Sequence, residues 1–124
     1  MQTKGKILWT DLTVDNPEQI KDFYGALVGW TFSEQPVGDY VDFNVHNPEE
    51  NNEIISGICH RKGSNSKIPA QWLNYVCVDN LEKSLENCLK LGGKILDGPR
   101  KMGKDIFAII KDPAGACLAI MQEL

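Results

Sequence analysis

No stretch of this 124-residue sequence approaches the ~20 apolar residues that a membrane-spanning helix needs, so no membrane partner is expected. Its N-terminus, MQTKGKILWTDL, has no signal-peptide hydrophobic stretch, which points to a cytoplasmic location. An excess of basic charge is also missing: 13 Lys and Arg stand against 17 Asp and Glu, a net charge of -4. A nucleic-acid partner would call for a basic stripe, so none is expected. Cysteine occurs four times, at 59, 77, 88 and 117, with no CxxC pair. That excludes a zinc knuckle and a thioredoxin-type motif. Most of these cysteines sit in apolar surroundings, as small hydrophobes in a reducing compartment do. No GxGxxG or P-loop pattern occurs, so nucleotide binding has no support, and no cofactor is expected.

What is present is a pattern written twice. Residues 7–16 read ILWTDLTVDN and residues 71–80 read QWLNYVCVDN. Both end in Val-Asp-Asn, 64 residues apart, and a helical pattern follows each. In the first copy, ILWTDLTV alternates as a strand. Asn16 then caps a helix that carries Pro17 at its first position and Ile20, Phe23, Tyr24 and Leu27 at helical spacing. Gly29 ends it. Strands follow at Trp30-Thr31-Phe32, at YVDFNV after a Gly38-Asp39 turn, and at EIISGIC after the polar turn HNPEENN. In the second copy, WLNYVCV is a strand, Asn80 caps LEKSLENCLKL, and Gly92-Gly93 closes it. KIL reads as a short strand, DGPRKMGK as a loop, and DIFAIIKD and ACLAIMQ as strands joined by Asp112-Pro113-Ala114-Gly115. The register agrees at this offset: Leu12 meets Val76, Val14 meets Val78, Glu18 meets Glu82, and Gly29 meets Gly93.

Each half is therefore β-α-β-β-β. The expected fold is α+β: two βαβββ modules forming a cupped eight-stranded mixed sheet with helices outside and a central cleft. One domain is expected over 1–124, with module one at 5–60, a polar linker at 61–70 and module two at 71–124.

The strand with Trp9, then DNPEQIKDFYGALVGW, WLNYVCVDN, LGGKILDGP and KDPAGACLAIMQ together resemble the glyoxalase/bleomycin resistance protein/extradiol dioxygenase (vicinal oxygen chelate) superfamily, from about Ile7 to Gln122. The resemblance implies a substrate cleft inside the sheet and a homodimer. It leaves the reaction open, because the superfamily holds isomerases, lactoylglutathione lyases, dioxygenases and non-catalytic drug binders. It also implies, for enzymatic members, a divalent metal held by His or Gln on the first strand of each module and by Glu on the last. Carried onto this sequence, those positions fall on Trp9, Leu73, Gly57 and Ala119. None has a side chain that ligates a metal, so no metal is expected. A slip to Gln71 restores one weak ligand and no site.

Other residues of the cleft are candidates for binding a small organic molecule. Trp9, Asp11 and Thr13 share one face of their strand, and Gln71, Leu73 and Tyr75 share one face of theirs. Asp42 and Asn44 alternate outward on the third strand. The candidate ligand-binding set is Trp9, Asp11, Asp42, Gln71 and Tyr75, an apolar body with a few polar groups. Trp9 offers a cation-π platform and Asp11 a partner for an amine, or a general base. The plainer account has Trp9 filling space, Asp11 bonded to backbone, and Asp42 on a solvated face. Trp72 points to the opposite face and is expected in the core under the helices. His46 and His60 are expected at the surface, and the loop 101–104 is expected to be exposed. A lyase, an isomerase or a dioxygenase with a misaligned metal site is the alternative function, and a non-catalytic interaction module the third.

Overall fold

The computed structural model describes residues 3–124. Eight strands make one mixed sheet. The chain gathers into two compact units, one of residues 10–72 and one of residues 73–124 with the segment before residue 10. That early segment clusters with the second half in part because Gly5 donates its N–H to Cys77 O at 2.8 Å, and Cys77 donates its own to Lys6 O at 2.9 Å. The segment 61–70, read as a linker, packs into the first unit. Ile68 is buried, and Arg61 Nε donates to its carbonyl at 2.8 Å.

In the 10–72 unit, β1 (Ile7–Val14, which begins in the other unit) pairs parallel with β4 (Glu53–His60). β4 pairs antiparallel with β3 (Tyr40–Asn47), and β3 with β2 (Thr31–Val37), which is an edge. Helix α1 (Pro17–Val28) lays Ile20 and Tyr24 on the cluster of Leu12, Val45 and Ile58. Trp72 packs there too, as expected: its ring meets Tyr24 at 5.2 Å and Trp30 at 5.7 Å, and its Nε1–H donates to the Tyr24 hydroxyl at 3.1 Å. Gly29, at φ 79°, closes α1 with a bond to Gly25 O. That left-handed conformation is why glycine stands there.

The other unit repeats this plan. β5 (Trp72–Cys77) pairs parallel with β8 (Cys117–Gln122), and β8 and β7 (Asp105–Lys111) pair antiparallel, as do β7 and β6 (Lys94–Met102). Helix α2 (Leu81–Lys90) buries Leu81 and Leu85 against Ala108 and Ile120. The segment DGPRKMGK, expected as a loop, is for the most part the far end of β6. Strand pairing survives its glycine and proline because the register shifts twice, between Ile95 and Asp97 and between Asp97 and Arg100. Such bulges absorb residues that a regular ladder cannot hold. The turn at Gly103 and Lys104 is exposed, as are Gly98 and Pro99, which the register shift leaves without partners. Among the described residues no helix is long and apolar enough to cross a membrane.

The two helices start differently. Asn80 caps α2 as expected, its Oδ1 accepting the Lys83 N–H at 3.0 Å. Asn16 precedes α1 but makes no such cap; its Nδ2 donates to Gln19 Oε1 at 2.8 Å instead.

Candidate functional site

Strand alternation divides each half-sheet into a face under its helix and a face turned away. In the 10–72 unit, Leu12, Val45 and Ile58 lie under α1. Asp11 and Thr13 on β1 therefore point the other way. So do Gly57, which pairs with Asp11, and Cys59, which pairs with Thr13. Asn44 pairs with Gly57, and Ser33 and Gln35 of β2 pair with Asn44 and Asp42. This face is polar almost throughout.

Two of the expected residues meet on it. Burial pushes the Cys59 thiol above its ordinary value of 9.0, and the carboxylates of Asp11 and Asp42 push it further, with Asp42 also accepting a hydrogen bond from the thiol. Cys59 is thus a protonated donor and not a thiolate nucleophile. Asp42 does not lie on a solvated face. It is buried, and its Oδ1 accepts the His60 backbone N–H at 2.9 Å where the β3–β4 pairing ends.

His60, expected at the surface, is 5% exposed. Its Nδ1 lies 3.2 Å from Asp42 Oδ1 and its Nε2 3.0 Å from Glu18 Oε2. Both partners are acceptors, so both bonds are made together only when the ring is doubly protonated. The ring also meets Tyr40 edge-on at 5.0 Å. His46 is half-buried. Its Nδ1–H donates to Asn52 O at 2.9 Å, which leaves Nε2 to accept from the Ser33 hydroxyl at 2.6 Å. Neither contact was readable from the sequence, because each joins residues of different elements. Gln71 is half-buried just before β5, its N–H bonded to Pro69 O at 2.9 Å.

The corresponding face of the other unit has a different chemistry. Ala108 and Ile120 lie under α2. Phe107, Ile109, Ala119 and Met121 therefore point away from it, with Tyr75, which pairs with Ala119. All five are buried. The Tyr75 and Phe107 rings stand 6.0 Å apart. Arg100 lies over Phe107 with its guanidinium carbon 4.6 Å from the ring centroid, and its Nη2 donates to Asp97 Oδ2 at 2.9 Å. Asp105 begins β7 on the same face, with a buried Oδ1 that has no hydrogen-bond partner. Arg100, Asp97, Phe107 and Asp105 were absent from the expected set. The first two lay in the segment read as a loop, where side-chain direction has no period. Of the expected residues, Tyr75 is on this face, and Trp9 is half-buried on β1, on the same strand face as Asp11.

The donor set does not fit a metal. Trp9, Gly57, Leu73 and Ala119 have no side-chain donor for one. Among the described residues no group of three or more His, Cys, Asp and Glu side chains is arranged to hold a metal ion.

Comparison with known proteins gives a family and a fold. The model of the Glyoxalase/Bleomycin resistance protein/Dioxygenase superfamily matches residues 6–120. The Mycobacterium bovis protein named "Putative glyoxylase CFP32" is 25% identical over 121 residues, 95% of this chain and 44% of that protein. The "Anthracycline biosynthesis protein DnrV" of Streptomyces peucetius is 24% identical over 135 residues, 96% of this chain and 47% of that protein. The chain therefore spans about half the length of the curated relatives it matches. Among solved structures, a variant of Streptomyces coelicolor methylmalonyl-CoA epimerase in complex with 2-nitronate-propionyl-CoA superposes with TM-score 0.54 at 11% identity, covering 98% of this chain and 99% of that one. A superfamily member from Vibrio splendidus gives TM-score 0.56 at 9% identity, covering 95% of this chain and 100% of that one. At these identities the likeness shows the fold alone.

Proposed function

The chain belongs to the Glyoxalase/Bleomycin resistance protein/Dioxygenase superfamily, and from that premise we propose that it binds a small organic molecule, without a metal, on the sheet faces turned away from its helices. The observation that carries this reading is the pair of carboxylates at Cys59. Asp11 and Asp42 both bear on one protonated thiol. That face offers negative charge and hydrogen-bond acceptors to a ligand that brings an amine. Gly57 sits beside Asp11 in the ladder, and a methyl group built there would touch Phe43 O at 3.6 Å, Cys59 Sγ at 3.7 Å and Asp11 Cβ at 3.8 Å, so there is room for it without a clash. On the face of the other unit, taken by itself, Trp9 and Tyr75 are proposed as the aromatic side chains for a ligand, a ring being worth about 0.5–2 kcal/mol toward a cation. Gln71 adds an amide. Asp42 is bonded to His60 and sets the field, and Asp11 is proposed for the direct contact. The residues that the family would use for a metal lack donors, which supports binding without one.

The protein is further proposed to act as a homodimer, in keeping with its family, and in the cytoplasm, in keeping with its four free cysteines. Light scattering that returned one chain mass would remove the dimer.

The test is a thermal-shift series with aromatic amines in excess EDTA, alongside elemental analysis of the untagged protein. A ligand at 100 times its dissociation constant adds about 2.7 kcal/mol to the folded state. The expected result is a rise in Tm in EDTA that Asp11→Asn removes, with each metal well below one equivalent. Stoichiometric metal, or a ligand response that appears only on adding metal, overturns the reading in favour of metal-dependent lyase or dioxygenase chemistry.

A further inference from the structure

Away from the sheet faces, α2 and the strands beside it enclose a groove of about 500 Å³. That volume lies in the range of small-molecule sites. Its apolar wall is Leu85 and Leu89 of α2, Ile106 of β7 and Pro99 of β6, and Glu82 and Glu86 also line it. Leu89 is 57% exposed, so no neighbour covers the outer end of this wall. Glu82 and Glu86 stand four residues apart on one helix stripe, where like charges repel. Among the described residues neither has a salt-bridge partner.

The matching place in the other half is itself a groove, of about 570 Å³, and Lys21, Asp22 and Phe43 line it. The repeat sets Glu18 against Glu82, Lys21 against Leu85 and Asp22 against Glu86. There, Glu18 is bonded to His60. Lys21 Nζ lies 2.9 Å from Asp22 Oδ1 and 5.3 Å from the centre of the Phe43 ring. The α1 side thus carries its own ammonium, on an apolar floor and against a carboxylate. The α2 side keeps the carboxylates and the apolar floor and has leucine in the lysine's place.

We propose that the α2 groove is a second binding site, for a small cationic amphiphile: an organic ammonium whose apolar body lies on Leu85, Leu89 and Ile106 while its charge meets Glu82 and Glu86. The site is separate from the sheet faces and does not depend on what binds there.

The probe is n-octylammonium, titrated into the full chain at low salt and followed by amide chemical shifts, with 1-octanol as the uncharged control. Saturable binding is expected, with the largest shifts at Leu85, Leu89 and Ile106 and affinity above that of octanol. E82Q/E86Q alters only exposed positions, so the fold persists, and it is expected to weaken n-octylammonium roughly fivefold while leaving octanol unchanged. Equal affinity for octanol, shifts centred on the sheet face, or no saturation in the millimolar range overturns the proposal.

Discussion

The two sheet faces turned from the helices occupy matching places in the repeat and carry opposite chemistry. Gln35 pairs with Asp42 in one half where Arg100 pairs with Phe107 in the other. Ser33 pairs with Asn44 where Asp97 pairs with Ile109. Asp11 pairs with Gly57 where Tyr75 pairs with Ala119. One half presents carboxylates and amides; the other presents buried aromatic and aliphatic side chains, with the Arg100–Asp97 pair and Asp105 toward one end. A repeated backbone therefore does not impose a repeated surface. Hydrogen bonding along the strands fixes where each side chain stands, and only the residue type decides whether that position attracts charge or excludes it.

The ends of the last strands differ in the same instructive way. His60 closes β4 and Gln122 closes β8, and each ties the start of its half's helix to the sheet. Gln122 Oε1 accepts the N–H of Leu81, the first residue of α2, at 2.8 Å. In α1 that position is Pro17, which has no N–H to give. The tie there runs from His60 to the Glu18 carboxylate one residue on.

The largest test of the comparison writes one face into the other. Phe107→Asp puts on β7 the carboxylate that β3 carries at Asp42. Loss of the ring and burial of a charge should cost about 3–5 kcal/mol in urea unfolding. A loss below about 1 kcal/mol would mean that this face is wet. Next come the two strand ends. His60→Ala strips buried Asp42 of its ring partner and should cost about 2 kcal/mol, whereas Gln122→Ala frees one helix-end donor and should cost about 1 kcal/mol. Equal losses would erase the distinction between a tie to buried Asp42 and a tie to a single helix-end donor.

A third test is specific to the polar face. The Cys59 thiol is raised in the folded state, so folded and unfolded chains bind the same proton below pH 9.0. Above that value the unfolded thiol ionises while the folded one holds its proton. Stability then falls as pH rises, by up to about 1.4 kcal/mol per unit. Cys59→Ala should flatten this alkaline limb, and an unchanged limb would mean that other groups cause it. The smallest contrast concerns the two asparagines: Asn80→Ala should lose about 1 kcal/mol and Asn16→Ala close to nothing, since only Asn80 caps its helix. Matching losses in thermal melts would show that Asn16 caps α1 in solution.

Local signals made much of this legible beforehand. The alternation of ILWTDLTV and the spacing of Ile20 and Tyr24 gave strand and helix, and Gly29 marked where α1 stops. β6 was not legible past Leu96, because Gly98 and Pro99 read as a loop, and only the pairing of Asp97 and Arg100 with β7 on either side carries the strand past them. His60 was misjudged for a related reason. Its partners are 18 and 42 residues away in the chain, and no local pattern announces them.

The sequence by itself determined the twice-written βαβββ order, the family, and the absence of donors at Trp9, Gly57, Leu73 and Ala119, since periodicity and residue identity are properties of the chain alone. Tertiary structure decided the rest: that Asp42 and Glu18 converge on a buried His60, that Asp11 and Asp42 bear on Cys59, and that Arg100 lies over Phe107. Each depends on strand register, bulge position and helix docking, which arise when distant segments bury apolar surface together and bring their polar groups within hydrogen-bonding reach.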